Sequence, residues 1–187
     1  MAQPTPETHS PHPMAPPFAA PIHDSELEVR PVRDADSPGL VALIGGCFQA
    51  YENCILDVDR EEPGLKTPEA SFERFWVLEW RPPGRDPRIV GCVGAGTHDL
   101  DGVPATELKK LYVHPLLRGR GLATKLCGLV LARARELGHR HVDLWSDTRF
   151  DTAHRVYEHL GWVRTGAVRE LHDLSDTREF HFVLPLD

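Results

Sequence analysis

From Leu122 onward, apolar residues fall at Leu122, Leu126, Leu129, Val130, Ala134 and Leu137. That spacing is one stripe of an amphipathic helix. Directly before it, Leu108, Lys109, Lys110, Leu111, Tyr112 and Val113 form a strand-compatible run that His114-Pro115 ends. Upstream, the pattern predicts a strand over 27–32. A helix follows, opened by Asp36-Ser37-Pro38 and carried by Leu40, Leu43, Ile44 and Phe48. After a loop over 53–66, Thr67-Pro68-Glu69 marks another helix start, with proline where its missing N–H costs nothing. Strands over 75–80 and 88–97 flank the turn Pro82-Pro83-Gly84, and a second turn, Asp99-Leu100-Asp101-Gly102, leads into a strand over 106–113. Gly138 stops the long helix, a strand follows over 141–145, and a helix over 152–160 ends at Gly161. Strands at 162–164 and 180–184 finish the chain. This order predicts an α/β (α+β) fold, a mixed and mostly antiparallel sheet flanked by helices.

The first 24 residues break the pattern, with seven prolines, three histidines and no apolar period. Such a segment cannot bury enough surface to order itself, so a disordered tail is expected over 1–25 and a single domain over 26–187. The tail lacks the charged start and unbroken apolar core of a secretory signal. No apolar run in the 187 residues approaches the roughly 18 needed to cross a bilayer, so a soluble cytoplasmic protein without a membrane partner is expected. A net charge of −7, with no basic cluster outside the Arg118 region, argues against nucleic acid and favours cationic partners. Cys47, Cys54, Cys92 and Cys127 form no CxxC pair and lie in or beside apolar segments, as buried reduced thiols do. His139 and His141 have no Cys or carboxylate at ligand spacing, and His154 and His159 are five apart, so no metal is expected.

The junction of strand and long helix carries the clearest chemistry. The first amides of a helix have no partners within it and its dipole is positive there, so an anion is favoured. Gly119 and Gly121 let the backbone turn and approach a ligand, while Arg118 and Arg120 add positive charge. The P-loop pattern is absent, since Gly121 is followed by Leu122-Ala123, and GxGxxG fails at Thr124.

The stretch Arg118-Gly119-Arg120-Gly121-Leu122-Ala123 resembles the (Q/R)xxGx(G/A) motif of the GNAT superfamily of N-acetyltransferases, preceded by a matching strand exit at Val113-His114-Pro115. Ala153 through Trp162, with Tyr157 and Gly161 at the expected places, resembles the same superfamily's A-x-x-x-Y-x-x-x-G-(F/W) motif. The resemblance covers roughly residues 27–186. It implies a sheet that splays after the 106–113 strand, with the pantetheine arm of acetyl-CoA in the gap. Leu111, Tyr112 and Val113 would run beside that arm, Leu111 and Val113 offering backbone hydrogen bonds. Amides of Arg118, Gly119, Arg120, Gly121, Leu122, Ala123 and Thr124 would wrap the pyrophosphate. Family members often carry Asn three residues before the motif's alanine, where this chain has Phe150.

Acetyl transfer from a thioester needs a neutral amine, and an alkylamine with a pKa near 10.4 is only about one part in two thousand neutral at pH 7. A base inside the site therefore offsets roughly 4.5 kcal/mol, and a donor must protonate the departing thiolate. The resemblance gives Tyr157 the donor role and points to a carboxylate base at Glu107. On strict alternation Glu107 shares a face with Lys109, Leu111 and Val113. A simple pairing of Glu107 with Lys109 is the structural alternative, and His98, Glu79, Asp143 and Asp147 are reserve bases. Substrate choice is expected in the acidic segment 51–62, with Glu52, Asp57, Asp59, Glu61 and Glu62, and in the connection 169–177, where Arg169 and His172 offer positive charge. The expected activity is acetyl-CoA-dependent N-acetylation of a primary amine on a small cationic molecule. Protein lysine or N-terminal acetylation, and a non-catalytic CoA-binding module, are the alternatives, and a homodimer is compatible with each.

Overall fold

A computed structural model describes residues 22–186 of the chain. Residues 1–21, most of the Pro/His-rich tail, lie outside the described residues. The folded unit begins earlier than residue 26: Ile22 packs against the core, and Asp24–Glu26 form a 3-10 turn. Strand β1 (Leu27–Pro31) is followed by α1 (Ser37–Phe48), the single turn α2 (Pro68–Ser71), β2 (Arg74–Trp80), β3 (Arg88–Leu100) and β4 (Val103–Val113). Then come α3 (Leu122–Glu136), β5 (His141–Asp147), α4 (Asp151–His159), β6 (Val163–Glu170) and β7 (Arg178–Pro185).

All seven strands form one sheet in the order β1-β2-β3-β4-β5-β7-β6. Only the β4–β5 contact is parallel. It consists of two register pairs, Thr106 with Val142 and Glu107 with Asp143. Beyond them the strands part: β5 continues against β7 as far as Asp147, and β4 continues against β3 as far as Val113. The sheet therefore splays, as the sequence led us to expect.

Apolar side chains segregate to the two faces. On one side α3 and α4 bury Leu126, Val130, Ala134 and Tyr157 against Leu108, Val113, Leu144 and Phe182. On the other, α1 buries Leu40, Leu43, Ile44 and Cys47 against Val77 and Cys92. The α3 stripe was read correctly except at its end, where Leu137 is exposed because the helix stops and Gly138 takes φ +72°. No helix among the described residues is long and apolar enough to cross a membrane.

Strand β4 departs from simple alternation. Cys92 pairs with Tyr112 and Gly94 with Lys109, so β4 carries one more residue than β3 over this stretch, a β-bulge. Lys110, within it, adopts φ +52°. The bulge reverses the faces beyond it: Leu111 and Val113 join Leu108 on the α3 side, while Tyr112 turns toward α1. Glu107 consequently does not share a face with Leu111 and Val113.

Candidate active site

Where β4 and β5 part, each strand presents an edge with no strand partner: Leu108–Val113 on one side, Leu144–Asp147 on the other. Backbone N–H and C=O groups inside a protein require partners. A cavity of about 260 Å³ lies between these edges, lined by Leu108, Lys110, Leu111, Tyr112, Trp145, Ser146 and Asp147. Phe150 closes it from the residue before α4, Ala153 and Tyr157 from α4, and Phe48 from α1. An extended amide-bearing ligand can add to the β4 edge as a strand would.

Tyr157 is 5% exposed and packs against Trp162 and Phe182, with ring centroids 5.9 and 5.7 Å away. Its hydroxyl has no hydrogen-bond partner among the described residues. Burial pushes its pKa well above the ordinary tyrosine range, so the group is protonated at any working pH. A protonated, unengaged hydroxyl at a cavity wall suits a proton donor.

Glu107 stands elsewhere. Its carboxylate pairs with Lys109 at 2.7 Å and is not among the groups lining the cavity. Of the reserve bases, Glu79 is held by Arg30 and Arg81 on β2. Asp143 is 1% exposed and lies between two imidazoles, with His98 Nε2 at 2.5 Å and His181 Nε2 at 3.0 Å. The rings bond opposite oxygens, and among the described residues no three His, Cys, Asp or Glu side chains converge as metal ligands. Asp147 does line the cavity. Sequence spacing had put it past the strand, but it is the last residue of β5, and Arg149 Nε and Nη2 grip its carboxylate at 2.6–3.1 Å.

Arg149 was not singled out from the sequence, yet it organises the cavity mouth. While two of its nitrogens hold Asp147, Nη1 donates to the carbonyls of Asn53 (2.9 Å), Glu52 (3.3 Å) and Ser175 (3.4 Å). The loops after α1 and after β6 are thus tied together. Ile55 N donates to Ser175 Oγ at 2.8 Å, and Leu174 N donates to Glu61 at 2.7 Å. These bonds make a roof. A shallower depression of about 600 Å³, lined by Tyr51, Glu52, Arg149 and Asp176, shares Ile55 and Ser175 with the inner cavity.

The acidic segment is less uniform than its composition implies. Asp57 caps its own turn by accepting from the amides of Asp59 and Arg60, and Asp59 pairs with Lys66 in solvent. Only Glu61 and Glu62 of the five carboxylates line the cavity. Glu62 forms an ion pair with Lys110. Arg169, expected in a loop, belongs to β6, where it pairs with Glu179 at 2.5 Å and lies 4.4 Å above the Trp145 ring. Phe150 caps no amide at the start of α4 and instead packs against Tyr51, with ring centroids 4.7 Å apart and the rings tilted by 46°, adding an apolar wall. Burial pushes the Cys54 thiol, beside the cavity, up to about 11, and it raises Cys47, Cys92 and Cys127 too. None is a ready thiolate at neutral pH.

The glycine turn has the geometry of an anion cradle. Gly119 and Gly121 take φ +77° and +71°, and Gly121 is the residue from which α3 starts. A Cβ on either would meet no protein atom, so the turn needs glycine for its backbone conformation, not for room within the protein. Arg118 folds back to donate from Nε to the Val113 carbonyl at 3.4 Å, and Arg120 pairs with Asp24.

Comparison with known proteins bears on the family and the fold. The chain is 36% identical over 90 residues to the uncharacterized N-acetyltransferase YjgM of Escherichia coli, covering 47% of this chain and 50% of that protein. It is 32% identical over 141 residues to human N-acetylaspartate synthetase, covering 74% of this chain and 40% of that protein. The chain thus spans half or less of the length of these relatives. In fold it is similar to a chain of the NatC complex bound to Gag peptide and CoA, with a TM-score of 0.64 at 18% identity over 87% of this chain and 99% of that one. The family model described as acetyltransferase (GNAT) family matches residues 46–162, well over half of the sequence, and the chain belongs to that family.

Proposed function

We propose that this protein is an acetyl-CoA-dependent N-acetyltransferase acting on a primary amine of a small cationic molecule, in the cytoplasm. The observation that carries the transferase reading is the pair of strand edges without a strand partner flanking a cavity lined by Tyr157. The pantetheine arm would lie against the Leu111 to Val113 backbone, and the amides from Arg118 through Thr124 would hold the pyrophosphate. The amine attacks the thioester carbonyl directly, the C–S bond breaks, and Tyr157 protonates the leaving thiolate. Elevated cysteine pKa values disfavour an acyl-enzyme intermediate.

Glu107 remains the proposed base, acting through water. Asp147, already at the wall, is the competing candidate, though its charge is shared with Arg149.

The roof supports a small acceptor. A protein surface needs an open groove, whereas the two loops here are bonded to each other over a cavity of about 260 Å³. An anionic amino acid such as the aspartate implied by the human relative's name is less well served. Among the described residues lining the inner cavity, Lys110 is the one Lys or Arg, and it is already paired with Glu62. NatC's peptide keeps a free N-terminus as the second reading, because an extended terminus is thin enough to enter beneath a roof. A thiol-release assay with acetyl-CoA tests all of this against diamines, aspartate, N-terminal peptides and lysine peptides. Preference for aspartate or for peptides would overturn the acceptor reading, and absence of release with every amine would overturn the transferase reading.

A further inference from the structure

Lys110 is an odd residue to find in a cleft that processes amines. The bulge places it at φ +52°, and Lys110, Leu111 and Tyr112 line the cavity in succession. Its ammonium, on a side chain 22% exposed, meets the Glu62 carboxylate, whose side chain is 29% exposed.

The other carboxylates of the cavity have fixed duties. Asp147 is gripped at two oxygens by Arg149. Asp173 accepts from the amides of Ser175 and Thr177, Glu61 from Leu174, and Glu179 pairs with an Arg169 that lies over Trp145. Glu62 alone among them is held by a lysine. A lysine ammonium is a compact charge on a flexible stem, exchangeable for another ammonium without loss of hydrogen-bond geometry.

We propose that the Lys110–Glu62 pair is a resident stand-in for part of the acceptor, and that binding replaces Lys110 at Glu62 by an ammonium of the substrate. This deepens the proposed function and rests on it. A carboxylate stabilises the charged form of a nitrogen beside it, whereas the attacking nitrogen must be neutral. Glu62 therefore holds a second cationic centre, not the reacting one. The acceptor class is a diamine or an amine bearing a separate fixed cation, and Glu62 with Lys110 sets that specificity.

The test compares wild type, Lys110→Ala and Glu62→Gln with 1,4-diaminobutane and butylamine, by thiol release and, independently of turnover, by calorimetric diamine binding. Lys110→Ala removes the internal competitor, so it should tighten diamine binding and lower the diamine KM about fivefold relative to the butylamine KM of the same variant. Glu62→Gln should weaken diamine binding about tenfold and erase the preference for diamine over butylamine. The inference is overturned if Lys110→Ala weakens diamine binding or affects both amines alike, or if Glu62→Gln keeps the preference. Calorimetry separates it from the transferase reading: diamine binding that shifts as described without any thiol release upholds the Glu62 role and sinks the chemistry.

Discussion

His98 Nε2 on β3 lies 2.5 Å from Asp143 Oδ1 on β5, a contact that reaches across β4 at the root of the splay. Asp143 is opposite Glu107 in one of the two pairs that join the half-sheets, and its second oxygen takes His181 of β7 at 3.0 Å. One buried carboxylate thus fastens three strands where only two residue pairs connect β4 to β5. Asp143→Ala leaves His181, which is 7% exposed, without that partner, at a cost of about 1–3 kcal/mol. His98→Ala should cost less, because the His98 side chain is 31% exposed and water already reaches it. Urea unfolding midpoints check both; equal midpoints for Asp143→Ala and wild type would show the clamp to be idle.

Tyr157 should separate catalysis from stability. Its hydroxyl bonds to no described residue, so Tyr157→Phe removes no internal hydrogen bond and should leave the unfolding free energy within about 0.5 kcal/mol of wild type. Loss of a general acid should lower kcat by roughly a hundredfold. Because burial raises the tyrosine pKa, the acid stays protonated as the amine is freed of its proton, and the rate should not fall as pH passes 10. A descending limb centred near 10 in wild type, lost in Tyr157→Phe, would contradict the raised pKa.

Acid stability depends on a different cluster. Arg30 donates to Asp36 at 2.7 Å and to Glu79 at 2.5 Å, all three side chains being more than nine-tenths buried. Burial by itself pushes both carboxyls up, but the hydrogen bonds and charge of Arg30, together with Arg33 at Asp36 and Arg81 at Glu79, outweigh it, so each ends below the usual range. A depressed folded pKa gives stability that is complete above the unfolded value near 4 and lost as pH falls through the folded value. The unfolding free energy should therefore drop on acidification below about pH 4, and Asp36→Asn should flatten that drop. Arg30→Met would leave two buried carboxylates with less compensation, costing about 3 kcal/mol at neutral pH. An unfolding free energy that is flat down to pH 3 would remove the cluster from the acid response.

Much of the framework around this site was legible in the sequence because it is periodic or punctuated. The α3 stripe, the glycines at positive φ and the Tyr157 spacing are local signals, and each element lies within a few residues of where the pattern put it. Strand β6 was read as three residues because it is an edge strand whose eight residues are all exposed, so no burial alternation marks it. That error put Arg169 in a loop. The bulge at Lys110 left no trace either: lysine has no preference for positive φ, and the extra residue is defined by pairing with β3, not by anything in β4. Arg149 went unnoticed because its work is to join loops far apart in sequence.

Truncation distinguishes the tail from the fold. A chain starting at Ile22 keeps the core contact of that residue and the Asp24–Arg120 pair, and should match the full chain in stability and turnover. A chain starting at Glu26 loses both, and should unfold at lower denaturant while gaining a free Arg120 beside the cofactor turn. Loss of activity in the longer truncate would assign residues 1–21 a role at the site.

Gly121 tests the cofactor turn itself. At φ +71° it starts α3, and the space around its absent Cβ is open, so a substitution meets a conformational penalty and no clash within the protein. Asparagine tolerates this left-handed region far better than a β-branched residue does. Gly121→Asn should preserve the direction of the following amides and keep most of the acetyl-CoA affinity. Gly121→Val, forced toward negative φ at a cost of about 1–3 kcal/mol, should turn those amides away and weaken binding at least tenfold, with little change in diamine binding. Equal losses in both variants would mean that the side chain obstructs the cofactor and the backbone angle is incidental. Unchanged affinity in both would place the pyrophosphate somewhere other than the start of α3.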